Sequence, residues 1–211
     1  GGRFDAGMLY YTPQIWCSDN TDAISRLDIQ YGTSFGYPIS VIGAHVSAVP
    51  NHQTGRVTPI ETRGCVAMSG TFGYELDITK MSLEEKQIVK QQIERFHAFY
   101  SLIQYGKYYR LISPEYPYTV WEFAEENGKE ALVNLVYARV EACDTPVHIK
   151  IKGLKEDGNY RVTLLDEERY QNRWHIHNSI LSGVALMKGG ITFPIPWMDY
   201  QTMQYYIKEV D

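Results

Sequence analysis

Two structural classes follow one another along these 211 residues: an α/β half over residues 1–106 and an all-β half over residues 107–211. Three observations predict them. Up to Gly106, short apolar runs alternate with stretches of helical periodicity; beyond Lys107, short runs rich in Tyr, Val, Ile and Thr are divided by turn residues. The first half also repeats the order strand, loop with carboxylates, helix. That order is what the end of a (β/α)8 barrel looks like, a fold whose active site lies on the loops after the strands.

The elements follow in order. PQIWC (13–17) is a buried-strand candidate ending at Ser18 and Asp19. Asp22 opens a helix, DAISRLDIQYG, with Ala23, Ile24, Leu27 and Tyr31 at helical spacing. SVIGAHVSAV (40–49) is a second strand candidate, stopped by Pro50, and TRGCVAMSG (62–70) a short helix ended by Gly70. Ser82 with Glu85 is a capping box. It starts a long helix whose apolar stripe is Val89, Ile93, Phe96, Tyr100 and Ile103, closed by Gly106. The second half offers YYRLI, YTVWEFA, ALVNLVYARV, HIKIKGL and YRVTLL as strands, with ENGKE and EDGNY as hairpin turns.

Composition limits the function classes. With 44% hydrophobic and 21% charged residues the chain reads as globular, and no apolar run reaches the length of about 20 that spans a membrane. A net charge of −5 argues against a nucleic-acid partner. Cys17, Cys65 and Cys143 are sparse, odd in number and without a CxxC spacing, which reads as reduced thiols in a cytoplasmic protein. The opening GGRFDAGMLYY reads like the middle of an element, so a fragment of a longer chain is expected.

Position favours Asp19 over Asp22 for chemistry. Asp19 follows directly on a strand candidate, whereas Asp22 is placed to cap the helix and complement its dipole. His175 and His177 in RWHIH share a strand face, but no third ligand accompanies them, so no metal is expected.

The residues themselves carry a resemblance. GGRFDAGMLYYTPQIWCSDNTDAISRLDIQYGTS resembles the bacterial α-galactosidases (melibiases) of glycoside hydrolase family 36. GAHVSAVPNHQTGRVTPIETRG and MSGTFGYELD continue the likeness in the same order, and LIQYGKYYRLISP and ALVNLVYARV look like that family's entry into its C-terminal domain. The resemblance implies the last part of the barrel over residues 1–106 and an antiparallel β-sandwich over residues 107–211. It implies a retaining, exo-acting enzyme that needs no cofactor and releases terminal α-linked galactose from melibiose- or raffinose-type oligosaccharides, homo-oligomeric at full length.

Of the family's two carboxylates, the nucleophile lies in a K-W-D-x-N type motif, which does not occur here and is expected upstream. The acid/base is the first Asp of W-x-S-D-x-x-D, which is Asp19. Retaining enzymes hold the two groups roughly 5–5.5 Å apart. The same resemblance suggests substrate contacts for Gly1 and Gly2, the tail of a galactose-lining loop, and for Trp16 and Asp22; Trp16 reads somewhat better as packing within the barrel, and Asp22 as orienting the loop. Two other readings stand beside this one: a transglycosylating raffinose- or stachyose-type enzyme, and a non-catalytic β-sandwich or assembly module.

Overall fold

The computed structural model describes residues 5–170 and 175–210, and the chain divides into two compact units, Gly1–Gln104 and Tyr105–Asp211. In the first unit, parallel strand segments alternate with helices. Ile15 makes a single parallel bridge to Ile42, its N–H donating to Val41 O and its carbonyl accepting from Gly43 N, both at 2.8 Å. β1 (His45–Ser47) continues from there and pairs in parallel with β2 (Gly73–Glu75), Val46 opposite Tyr74. α1 (Ala23–Thr33) and α2 (Ile60–Ala67) occupy the two crossovers, which parallel pairing requires.

Every residue of α2 except Glu61 is buried, so its polar side chains need internal partners. Arg63 donates from Nε to Thr58 O at 2.9 Å and from a terminal nitrogen to Ser47 O at 2.6 Å. Gln92, from the next helix, donates to Ile60 O at 2.9 Å and accepts from Tyr74 Oη at 2.7 Å. A Cβ on Gly64 would lie 2.2 Å from Gln92 Nε2, so glycine makes room for that amide. Ala44, Val46 and Ala67 form an apolar centre with Phe72, Tyr74 and Leu76 against it.

Two expected strands are shorter than their apolar runs. PQIWC reduces to the bridge at Ile15, with Pro13 and Gln14 exposed and Pro13 lacking an N–H to donate. SVIGAHVSAV begins as a 3-10 turn, Ile39–Val41, entered from Pro38, and becomes strand only at His45.

α3 (Leu83–Tyr105) starts at the capping box: Glu85 N donates to Ser82 Oγ at 3.1 Å and Ser82 N to Glu85 Oε2 at 2.9 Å. Its buried residues are Gln92, Phe96, Leu102 and Ile103, whereas Ile93 and Tyr100 of the expected stripe are exposed. The bonded amide of Gln92 is what rotates the buried face away from Ile93.

The second unit is antiparallel throughout. β3 (Lys107–Ile112), β4 (Tyr118–Ala124), β5 (Glu130–Tyr137), β7 (Asn159–Leu164), β8 (Ser179–Ser182) and β10 (Gln201–Val210) form one sheet in the order β3-β4-β5-β10-β7-β8. β6 (Val147–Ile149) and β9 (Ile191–Phe193) make a separate ribbon. Val147, Ile149, Ile191 and Phe193 of the ribbon share one core with Val133, Leu135, Val162, Met203, Tyr205 and Ile207 of the sheet, a sandwich-like arrangement. ENGKE forms the β4–β5 hairpin, with Gly128 at φ +73°. EDGNY does not form a hairpin: its turn, closed by Gly158 N donating to Lys155 O, carries the chain from the ribbon to β7 in the other sheet.

Alternation along β4 sets Val120, Glu122 and Ala124 on the core face and Thr119, Trp121 and Phe123 on the other. Glu122 is 0% exposed, and both its oxygens accept from Lys152 N, at 3.2 and 3.1 Å. Burial pushes its carboxyl up to about 8, against the opposing pull of that amide and the Lys152 charge.

Candidate active site

Asp19 sits in the loop between the bridge at Ile15 and α1, and that loop is internally braced. Asn20 N donates to Ser18 Oγ at 3.1 Å, and Asp22 N to Asn20 Oδ1 at 3.0 Å. Asp22 is the N-cap of α1: its Oδ2 accepts from Ser25 N at 3.0 Å and Ser25 Oγ at 2.9 Å. The same oxygen forms an ion pair with Arg56. At 2% exposure Asp22 is a buried carboxylate satisfied by its cap and its cation. Its placement is that of a brace, without a free face toward solvent.

Arg56 belongs to a second loop, after β1, and Asn51 ties the two loops together. Its Nδ2 donates to Thr21 Oγ1 at 3.2 Å, while its Oδ1 accepts from Gln53 N and Thr54 N at 2.9 and 3.1 Å. Asn51 is 4% exposed, so all its polar atoms are needed for this work. His52 and Pro50 of this loop reach the same cleft as Asp19.

That cleft has a volume of about 410 Å³, and Trp16, Asp19, Thr21, Ser47, His52 and Glu75 line it. Its walls come from the C-terminal ends of the parallel segments: Trp16 just after the bridge at Ile15, Ser47 at the end of β1 and Glu75 at the end of β2. Asp19 is exposed, and its Oδ1 accepts a hydrogen bond from Trp16 Nε1 at 2.9 Å. The Trp16 ring stacks on His45, centroids 5.0 Å apart at 30°, with the Arg26 guanidinium 5.6 Å from its centroid. His45 Nδ1 lies 3.6 Å from Glu75 Oε2. Arg26 is held by Gly43 O at 2.6 Å, Ser18 O at 3.4 Å and Gln30 Oε1 at 3.4 Å. Burial pulls its pKa down, and the neighbouring Cys17 thiol opposes that.

Of the sequence-derived site residues, the structure brings Asp19 and Trp16 together on one cleft and sets Asp22 behind them. Gly1 and Gly2 lie outside the described residues. His175 and His177 belong to the second unit and lie before β8 rather than on a shared strand face; His175 Nε2 is 3.1 Å from Glu167 Oε1, and His177 Nε2 lies 2.8 Å from Asn178 Nδ2. Among the described residues no cluster of three His, Cys, Asp or Glu side chains is arranged to hold a metal ion, and no helix is long and apolar enough to cross a membrane. The sequence reading missed Glu75. Its only local signal is its place at the end of a short Tyr-containing run; the parallel register with β1 that puts it opposite Ser47 is a long-range fact.

The carboxylate at the mouth of this cleft falls inside a matched family region. The family described as Melibiase matches residues 1–106, and the Glycosyl hydrolase family 36 C-terminal domain matches residues 118–207. The chain belongs to glycosyl hydrolase family 36. Among curated relatives, the bifunctional alpha-galactosidase/sucrose kinase AgaSK of Mediterraneibacter gnavus is 49% identical over the whole chain, which covers 21% of AgaSK. Alpha-galactosidase AgaA of Geobacillus stearothermophilus is 47% identical, again over the whole chain, which covers 27% of AgaA. The crystal structure of AgaA superposes with a TM-score of 0.90 over 99% of this chain and 27% of that one. A variant of AgaA crystallised with raffinose matches at 46% identity and a TM-score of 0.89, covering 99% of this chain and 27% of that one. The family 36 segment described here thus spans roughly a quarter of the length of these relatives.

Proposed function

We propose that residues 1–106 form the C-terminal portion of a (β/α)8 catalytic barrel and residues 107–211 the β-sandwich domain that follows it, in a retaining exo-α-galactosidase of longer chain. The substrate class is oligosaccharides of the melibiose and raffinose type, consistent with the raffinose bound by the Geobacillus relative. Asp19 is the acid/base, and the nucleophilic Asp comes from upstream sequence. The carrying observation is the placement of Asp19: an exposed carboxylate, oriented by an N–H donor, in a cleft at the C-terminal ends of parallel segments.

The chemistry runs in two displacements. As the nucleophile's electron pair forms its bond to the anomeric carbon, the bond to the leaving oxygen breaks and that oxygen takes the proton of Asp19. Asp19, now a carboxylate, then removes a proton from the water that attacks the glycosyl-enzyme, and galactose leaves with its configuration retained. The cap and ion pair of Asp22 and the clamp of Asn51 keep the Asp19 loop fixed through both steps.

The test is Asp19→Ala in the full-length enzyme. Turnover of an unactivated α-galactoside should fall by about 10²–10⁴-fold, the usual worth of a general acid/base. Azide should restore turnover of an aryl galactoside with an activated leaving group and yield α-galactosyl azide, the retained anomer, because azide attacks the β-linked glycosyl-enzyme from the face Asp19 leaves open. Wild-type turnover by the variant would remove Asp19 from the mechanism.

A further inference from the structure

We infer that Trp16 is a positioning residue for the acid/base. Its indole N–H holds Oδ1 of Asp19, and a rigid three-sided mount built from His45, Arg26 and Gly43 holds the indole. This rests on the acid/base reading of Asp19.

An indole N–H is a donor only, so the oxygen it meets acts as an acceptor. At 2.9 Å the bond fixes Oδ1 in that role and leaves Oδ2 to carry the proton that is delivered to the leaving oxygen and later regained from water. Without it, an exposed aspartate three residues along a loop rotates among its side-chain wells, and both oxygens share the proton. The bond is useful only if the ring itself stays still, and Trp16, 39% exposed, has little burial to hold it.

The structure provides the missing restraint from three directions. His45, on β1, stacks on the ring at 30°. The Arg26 guanidinium, anchored to Gly43 O and Ser18 O, stands within cation–π distance of it. At Gly43 a Cβ would come within 2.5 Å of Gln14 Nε2, 2.9 Å of Trp16 Cε3 and 3.2 Å of Ile15 O, so the Trp16 ring and the Gln14 amide together occupy the space a side chain would take. Gly43 has no need of glycine for its backbone angle, since its φ is not among the positive ones; its role is spatial. The mount thus spans α1, β1 and Gly43, whose N–H bonds Ile15 O, and it converges on one indole N–H.

The experiment uses the full-length enzyme and reads kcat/KM, which reports formation of the glycosyl-enzyme. Trp16→Phe removes the donor. Replacing Trp16 by β-(3-benzothienyl)alanine removes only the donor, because sulfur takes the place of N–H and ring size is kept. Two substrates are compared: raffinose, whose sugar leaving group needs protonation, and 2,4-dinitrophenyl α-galactoside, whose leaving group does not. We expect both variants to lose about ten-fold on raffinose, the scale of one hydrogen bond to a charged group, and about two-fold or less on the dinitrophenyl substrate. Equal losses on the two substrates would show that Trp16 only supports the fold, and no loss on either would show that the N–H does nothing; both outcomes overturn the inference. Asp19→Ala runs alongside. If it is rescued by azide while the Trp16 variants show no leaving-group dependence, only this inference fails; if it keeps wild-type activity, the acid/base reading fails first.

Discussion

At β4 the pleat alternates side chains between two buried faces, and the fifth residue of that strand is a carboxylate. Glu122 is readable as inward-facing from the sequence, since YTVWEFA puts it in step with Val120 and Ala124; that its oxygens would meet the Lys152 amide was not readable, because Lys152 arrives from a distant segment. The energetic sign follows from the raised pKa. An unfolded carboxyl titrates near 4.5 and the folded one at about 8, so between those values the folded state keeps a proton that the unfolded state has lost. This contribution to stability is complete below the unfolded value, declines as pH rises through the interval and is gone above the folded value. The denaturant midpoint of the second unit should therefore fall between pH 5 and pH 8.5, by on the order of a few kcal/mol in stability. Glu122→Gln should flatten that dependence, and an equal pH slope in both proteins would count against a protonated Glu122. Asp19 and Asp22 show the other side of residue-scale reading. Their separation into exposed loop carboxylate and helix cap rests on local order along the chain, and local order is what a sequence displays.

Helix ends proved legible for the same reason. The Ser82–Glu85 box is complete in the structure, both bonds within four residues of one another. Ser82→Ala should cost about 1 kcal/mol through the loss of that cap, measured by chemical denaturation of the unit containing α3, whereas Glu84→Ala in the same turn should cost clearly less. The faces of α3 were less legible: periodicity selected Ile93 and Tyr100, but two hydrogen bonds to distant groups bury Gln92 in preference. Strand lengths failed in a related way. An apolar run such as PQIWC or HIKIKGL states a willingness to extend, but strand ends only where a partner's backbone is offered, and those partners lie elsewhere in the chain. Asn51→Ala belongs at this scale as well. Removing the clamp between the two cleft loops should lower kcat/KM on raffinose in the full-length enzyme by about ten-fold while leaving the thermal midpoint within a few degrees, because the loss falls on loop placement rather than on the core.

For the molecule as a whole, the change from helical to alternating periodicity at Gly106 is visible in the sequence, and the compact units of the structure divide between Gln104 and Tyr105. The proposed mechanism needs two carboxylates, and these 211 residues hold the proposed acid/base, Asp19, without the motif expected of the nucleophile. The isolated chain should accordingly show no α-galactoside hydrolysis above background, even with an activated aryl substrate at high protein concentration; clear turnover would overturn the division of labour proposed for the two carboxylates. The pairing order of the large sheet was not legible, because it joins Met203 to Leu135 and Tyr205 to Leu164 across long stretches of chain. That order has a consequence for how the unit comes into being. β10, the latest of the ten strands among the described residues, lies between β5 and β7, so β3–β5 and β7–β8 have no shared edge until residues 201–210 arrive. On the ribosome, the two halves must wait with open edges for the strand that joins them, and a premature stop before Gln201 would release two unjoined half-sheets rather than a slightly shortened domain.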